Sequence, residues 1–162
     1  MSKLIIIRGN SGSGKTTVAK ELQKRLGRNT MLISHDMIRI QMLNAKDPEA
    51  LPLITELLKY GRNHSDITIL EGILPADVYK PLFDTAVAVY GANIYAFYYD
   101  LTFEETLSRH STKPNREDFG EREMRRWWRE KDYIGTIHET AISAEMSVSD
   151  TVKIICSAVE AG

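Results

Sequence analysis

Short apolar runs alternate along this chain with longer segments in which apolar residues recur every three or four positions. The runs predict buried strands at 4–7, 31–34, 67–71, 93–99 and 140–144. The periodic segments predict helices over 17–26, 48–60 and 76–90. Further helices are predicted to begin at about residue 36, at residue 102 and at residue 148, and two more to flank a loop within 109–131. Such alternation predicts an α/β fold with a five-stranded parallel sheet and helices on both faces.

Capping residues set the predicted helix boundaries. Gly27 and Gly61 are placed to end helices, and Asp47 followed by Pro48 is typical of a helix start. Thr102 and Ser147 each precede a helical pattern as N-caps. Because parallel strands connected by handed crossovers share one carboxyl edge, residues that follow the strands are expected to meet there.

Composition narrows the class of protein. The 162 residues carry a net charge of −1, which suits one domain over 1–162 and offers no general attraction to a long nucleic acid or a membrane. No apolar run is long enough to cross a bilayer, and the single Cys156 excludes an internal disulfide. We therefore expect a cytoplasmic enzyme or binding protein, and the sequence leaves its oligomeric state open.

One motif lies between the first strand and the first helix. Residues 9–16 fit G-x-x-x-x-G-K-[ST] at every fixed position, and we call this segment the P-loop. Backbone N–H groups of such a loop form an anion nest, to which the helix adds its positive dipole end. The chain therefore resembles the P-loop (Walker A) nucleotide-binding proteins. The predicted nucleotide contacts are Gly9, Asn10, Ser11, Gly12, Ser13, Gly14, Lys15, Thr16 and Thr17.

Three further side chains are candidates for chemistry at the carboxyl edge of the sheet. Asp36 follows the second strand and is placed to accept a proton from a substrate hydroxyl or to hold a metal-bound water; the alternative is a plain helix N-cap. Arg39 lies three residues on and is placed to orient substrate, or is a surface arginine. Glu71 ends the third strand, where it contacts Mg²⁺ or the acceptor, or faces solvent.

These residues sharpen the resemblance. The P-loop and the segment 34–39 look like P-loop kinases of the zeta-toxin, chloramphenicol-phosphotransferase and polynucleotide-kinase group. In that group the matching aspartate is the general base and the matching arginine holds the acceptor, which implies these roles for Asp36 and Arg39. The segment 69–73 is similar to the third-strand motif of uridine kinases, which implies that Glu71 lies near metal and substrate. Together with the Thr16 hydroxyl of the P-loop and Asp36, it makes up the predicted Mg²⁺ site.

The segment 109–131 resembles the lid of these kinases. It contains eight of the chain's 21 lysines and arginines. The resemblance implies that Arg109 packs near adenine and that Lys113 and Arg116 close on the phosphates. Another four basic side chains are interpreted as a solvated helix face: Arg122, Arg125, Arg126 and Arg129. Trp127 is assigned to the core, and Trp128 is left to the acceptor pocket or an interface. His35 is interpreted as a surface histidine, with a contact to substrate as the alternative.

The sequence predicts an ATP-dependent, Mg²⁺-requiring kinase. Lys15 and the P-loop would hold the phosphates, and Asp36 would activate the hydroxyl of a small-molecule acceptor such as a nucleoside, sugar or antibiotic. Two alternatives remain open at this point. One is a kinase of polynucleotide 5′-ends, which the basic lid favours, and the other is a nucleotide-binding regulatory module without an acceptor.

Overall fold

Five strands form one parallel sheet in the computed structural model, which describes residues 1–162. The strands are Lys3–Gly9 (β1), Thr30–Ser34 (β2), Ile67–Gly72 (β3), Ile94–Tyr99 (β4) and Glu139–Ile142 (β5). They lie in the order β2-β3-β1-β4-β5, with all four neighbouring pairs parallel. The predicted α/β fold is confirmed, and β1 lies at the centre of the sheet, so the P-loop leaves its carboxyl edge at the middle.

The chain contains six α-helices, of which four cover the sheet. Their bounds are Lys15–Leu26 (α1), Leu51–His64 (α2), Lys80–Tyr90 (α3), Phe103–His110 (α4), Glu121–Trp127 (α5) and Val148–Ala161 (α6). Helices α1 and α6 bury apolar side chains against one face of the sheet, and α2 and α3 do so against the other. None of the helices is both long enough and apolar enough to span a bilayer.

The predicted start and end of the second long helix are wrong. Asp47 and Pro48 do not open it, because α2 begins at Leu51, and Gly61 does not end it, because α2 continues to His64. Gly61 has a packing role: a Cβ at this position would lie 2.2 Å from Oγ1 of Thr68 on β3. The glycine lets α2 approach the sheet closely, so it marks a contact and not a terminus.

The segments before α2 and α3 also differ from the prediction. The helix expected from about residue 36 is a single π-helical stretch at Met37–Met42, which buries Ile38 in the core. The helix expected from residue 76 begins only at Lys80. Both stretches lie at the carboxyl edge of the sheet, and π-helical turns occur frequently at functional sites.

Arg8 is a fully buried charged residue whose role was not predicted from the sequence. Its guanidinium forms ion pairs with Glu139 of β5 (2.8 Å) and with Asp132 (2.9 Å), and it donates to the carbonyl of Leu74 after β3. Neighbouring aromatic rings lie within 5.5 Å of the guanidinium, at Phe83 and Tyr98. These charge-assisted bonds fix the segments that follow β3 and α5 against β1.

Candidate active site

The P-loop connects β1 to α1 and wraps round the first turn of the helix. Gly12 adopts φ 86°, and a Cβ there would lie 2.6 Å from the carbonyl oxygen of Thr106 on α4. Only glycine fits this approach of two backbones. Gly14 precedes α1 with φ 97° and no side-chain cap, so the first N–H groups of the helix remain available to an anion.

Lys15 is buried at the centre of this loop. Only 8% of the residue is exposed, and its Nζ donates to the carbonyl oxygen of Asn10 over 2.9 Å. Burial lowers the pKa of Lys15 to about 8, with Glu71 and Asp36 opposing the shift and Lys113 adding to it. A bound phosphate would offset this loss of hydration and favour the charged form of Lys15. The position of Lys15 is therefore suited to binding an anion.

Two polar side chains of the P-loop hold the loop itself. Ser13 Oγ donates to the carbonyl of Asn10 over 2.6 Å. The amide of Asn10 donates to the carbonyl of Arg129 (2.7 Å) and accepts from its N–H (2.8 Å). Asn10 is a predicted nucleotide contact, and its side chain is engaged with the segment after α5. Any contact it makes with phosphate has to come from its backbone.

A carboxylate and two hydroxyls meet beside Lys15. Oε1 of Glu71 accepts from Thr16 Oγ1 (3.1 Å) and from Ser34 Oγ (2.7 Å). Glu71 is 2% exposed, so it does not face solvent as the alternative reading had it. Hydroxyl and carboxylate oxygens suit Mg²⁺, which in kinases takes its other ligands from phosphates and water. No cluster of three or more acidic, His or Cys side chains exists that could enclose a metal without them.

Asp36 and Arg39 lie on the segment that follows β2. The carboxylate of Asp36 is 60% exposed, and its Oδ1 lies 3.5 Å from a terminal nitrogen of Arg39. No side-chain cap hydrogen bond joins Asp36 to the π-helical stretch, so the plain N-cap reading is not supported. The pairing leaves the carboxylate open toward the clefts described next.

Lid residues reach the P-loop unevenly. Arg109 on α4 donates to the carbonyl of Ser13 over 2.7 Å and lies over Gly14. Lys113 faces Lys15, and burial, with Arg109 nearby, lowers the pKa of Lys113. Arg116 is exposed, with a hydrogen bond only to the carbonyl of Lys113, and Thr17 is exposed on α1. The structure thus gathers Arg109 and Lys113 at the loop, but not Arg116; Thr17 directly follows Thr16 on the first turn of α1, and its contact with nucleotide stays a prediction.

Two connected clefts open at this edge of the sheet. A narrow cleft of about 120 Å³ is lined by Lys15, Thr16 and Glu71 on one side and by Lys113 on the other. A larger cleft of about 630 Å³ continues past Arg39 toward α5. We call them the phosphate cleft and the acceptor cleft. Both are lined by Ser11, Asp36, Ile73 and Phe119, which places Asp36 at their junction.

One wall of the acceptor cleft is formed by His35 and Asp47, which are hydrogen-bonded to the buried Tyr79 behind them. Nε2 of His35 bonds Oδ1 of Asp47 over 2.8 Å, and the hydroxyl of Tyr79 donates to the same oxygen. Burial raises the pKa of Asp47, but the bonds from His35 and Tyr79 outweigh it and leave the pKa below its usual value. Burial and the neighbouring Asp47 raise the pKa of Tyr79. His35 is 2% exposed, so its assignment to the surface is wrong.

The opposite wall comes from the end of α5. Trp127 is 40% exposed and lines the acceptor cleft, so its assignment to the core is wrong; Met124 fills that place instead. Trp128 lines the same cleft, because α5 ends at Trp127 and the chain continues in an extended conformation. The reading of a solvated face holds for Arg125, which pairs with Glu121, but Arg126 and Arg129 line the cleft.

Comparison with known proteins gives a family and a shared fold. A family model described as AAA domain matches residues 4–134. No curated protein matches the chain. Among solved structures, a gluconokinase from Sinorhizobium meliloti 1021 is 12% identical, covers 98% of this chain and 92% of its own, and has a TM-score of 0.71. A putative kinase from Chloroflexus aurantiacus is 14% identical, with coverages of 99% and 97% and a TM-score of 0.73.

A third solved structure contains bound ligands. It is the APS kinase of Mycobacterium tuberculosis in complex with AMPPNP and APS, 16% identical, with both chains covered to 98% and a TM-score of 0.67. At these identities the likeness establishes the fold. The narrower resemblances to zeta toxins and uridine kinases stay predictions, as do the roles of the individual site residues.

Proposed function

This chain belongs to the AAA domain family, and we propose that it is an ATP-dependent kinase that phosphorylates a hydroxyl group of a small molecule. The observation that carries the proposal is the junction of the two clefts. Asp36 stands where the phosphate cleft, with Lys15 and Thr16, meets the larger acceptor cleft. The solved kinases of the same fold, which include a gluconokinase and an APS kinase, lend support.

In the proposed reaction, the acceptor oxygen attacks the γ-phosphorus of ATP, and the bond from that phosphorus to the bridging oxygen breaks. ADP leaves, and the proton of the hydroxyl passes to the carboxylate of Asp36. Lys15, the P-loop backbone and Lys113 stabilise negative charge on the phosphates. Thr16 Oγ1 would ligate Mg²⁺, with Glu71 and Asp36 holding its waters, and the ion would neutralise phosphate charge when bound.

The size of the acceptor cleft supports a small molecule over a polynucleotide. Its volume of about 630 Å³ is in the range of sites that enclose drug-sized ligands. The net charge of −1 offers no extended surface for tracking a phosphate backbone.

An acceptor screen tests the proposal. Purified protein with ATP and Mg²⁺ is assayed for ADP release over nucleosides, sugars, sugar acids, aminoglycosides and a 5′-hydroxyl oligonucleotide. We expect acceptor-dependent ADP release, with one phosphate gained by the acceptor in mass spectrometry. Release only with the oligonucleotide would favour the polynucleotide kinase. Nucleotide binding without any acceptor-dependent release would favour the regulatory module and count against a kinase.

Nucleotide affinity should depend on pH through Lys15. In the free protein the pKa of Lys15 is about 8, and bound phosphate raises it because the anion favours the charged form. Affinity should therefore stay level below pH 8 and fall about tenfold by pH 9, where most of the free protein has lost this proton. The phosphates are already ionised over this range. Calorimetric titration with AMPPNP and Mg²⁺ at pH 7, 8 and 9 measures the effect.

The matched control for this titration is Lys15→Met, whose residual affinity should change much less between pH 7 and 9. A wild-type affinity that stayed constant over the same interval would contradict the proposed protonation of Lys15 on binding.

A further inference from the structure

The guanidinium of Arg39 has no hydrogen-bond partner in the structure. It has five N–H donors, yet its contact with Asp36 is only a 3.5 Å ion pair. Its Nε is buried with no acceptor; the only other buried side-chain nitrogen or oxygen in this state is Nδ1 of His35. An unpaired buried donor is destabilising, so such groups call for a ligand or another specific explanation. Arg39 lines the acceptor cleft.

Arg126 is a second guanidinium in this cleft, and it forms no ion pair. Two nearby arginines are paired: Arg125 with Glu121 (2.7 Å) and Arg129 with Asp77 (2.8 Å). Arg126 contacts no carboxylate and lies 6.0 Å from the ring centre of Trp127. Its exposed side chain lines the acceptor cleft, and Glu123 on the same helix interacts with its charge only beyond ion-pair distance.

The acids of the cleft leave the donors of Arg39 unfilled. Asp47 is hydrogen-bonded to His35 and Tyr79, and Arg39 interacts with it only through space. Asp36 lies 3.5 Å from Arg39 and is assigned to the proton of the reacting hydroxyl. A ligand that satisfied the donors of Arg39 would therefore have to bring its own acceptor oxygens, which an anionic group provides.

Aromatic side chains shape the space beside the two arginines. The ring of Phe119 packs edge-on against Trp127, with centroids 5.1 Å apart. Trp128 and Ile40 extend this apolar lining, and Ile40 is 53% exposed. Indole faces of this kind accept a flat ring or the apolar face of a sugar.

We propose that the acceptor is an acid, whose carboxylate, sulfate or phosphate group binds Arg39 and Arg126 while its body packs against Trp127. Planar guanidinium groups match such anions with paired N–H donors, which is a geometry that lysine lacks. The identification of this ligand as the phosphate acceptor rests on the proposed kinase function. The anion site itself, however, can be tested without turnover.

Sulfate is the probe for the site, because it is the simplest of these anions. The P-loop is first filled with AMPPNP and Mg²⁺, and ionic strength is held constant with chloride. The chain's two tryptophans both line the acceptor cleft, so intrinsic fluorescence reports on this site. We expect a saturable change at millimolar sulfate. Arg39→Gln and Arg126→Gln should each weaken it about tenfold or more, the size expected for a charged hydrogen bond.

Arg125→Gln is the matched control. Arg125 lies on the same helix, but it pairs with Glu121 and packs over Phe103 outside the cleft, so sulfate binding should be unchanged. The absence of a saturable change in the wild type would overturn the anion site. Equal weakening by Arg125→Gln and Arg126→Gln would do the same, since it would reveal general electrostatics in place of a defined site.

Turnover separates this inference from the function on which it rests. Hydroxy acids are assayed as kinase acceptors beside their methyl esters, and phosphorylated sugars beside the parent sugars. We expect kcat/KM at least tenfold higher for the charged member of a pair, and Arg39→Gln should remove that preference while Arg125→Gln keeps it. Equal turnover of neutral members would overturn the acidic acceptor and leave the kinase in place. Sulfate binding without any turnover would do the reverse.

Discussion

Replacing Lys15 with methionine should lower kcat/KM for ATP by about 10³-fold, the scale on which one preorganised charge acts in an enclosed site. Methionine keeps most of the length of the side chain and removes the charge. Lys15 is 8% exposed, so its field reaches the phosphates with little screening by water. Steady-state ADP release measures the loss, with ATP varied at saturating acceptor.

Lys20→Met is the control for this experiment, since Lys20 is exposed on the same helix α1. Its activity should match the wild type. Stability should not explain the loss: burial depresses the pKa of Lys15, so the charged form is disfavoured in the fold, and methionine should leave the urea midpoint unchanged or higher. Activity of Lys15→Met within tenfold of the wild type would contradict a phosphate role for Lys15.

Features encoded within a few neighbouring residues could be predicted from the sequence. The P-loop motif, its preceding strand and its following helix are one continuous segment, and β1 and α1 are found there. The same is true of the local caps. Thr102 accepts from the N–H of Glu105 over 3.2 Å, and Ser147 exchanges bonds with Asp150. In each case the chemistry is complete within four positions, so no tertiary information is needed.

Features that depend on distant partners could not be predicted in this way. Asp47 before a proline is a good helix start by local rules, yet it bonds Tyr79, which lies 32 positions away. His35 offers no local sign of burial, because its partners Asp47 and Tyr79 lie 12 and 44 positions away and meet it only when the sheet is assembled. The sequence did carry one weak signal, since His35 directly follows a predicted strand.

The pair of tryptophans shows how one boundary decides a site. On a continuous helix, adjacent residues point in directions about 100° apart, and this led to the expectation that they serve different surfaces. Helix α5 ends at Trp127 and the backbone turns extended at Trp128, so both rings line the acceptor cleft. Helix ends are set by tertiary contacts as well as by caps. Here the link from Asn10 to Arg129 fixes the chain just after the helix.

Asp36→Asn should abolish most phosphoryl transfer and weaken nucleotide binding far less. Asparagine keeps the shape of the side chain, but an amide cannot take the proton of the attacking hydroxyl, so kcat should fall about 10²- to 10⁴-fold. The rise in KM for ATP should be much smaller than the fall in kcat, because Lys15, Thr16 and the P-loop backbone still hold the phosphates and Mg²⁺. Rates of ADP release and AMPPNP calorimetry on the same preparation measure the two quantities.

Asp47→Asn makes the comparison specific, because Asp47 lines the same acceptor cleft but is occupied by His35 and Tyr79. An amide there weakens a wall of the cleft, so acceptor KM should rise while kcat changes far less. The Asp36 substitution would then lower mainly kcat, and the Asp47 substitution would raise mainly the acceptor KM. General damage to the site would not separate the two parameters in this way. If Asp36→Asn kept full kcat, another group would have to accept the proton of the hydroxyl. Asp36 would then only pair with Arg39.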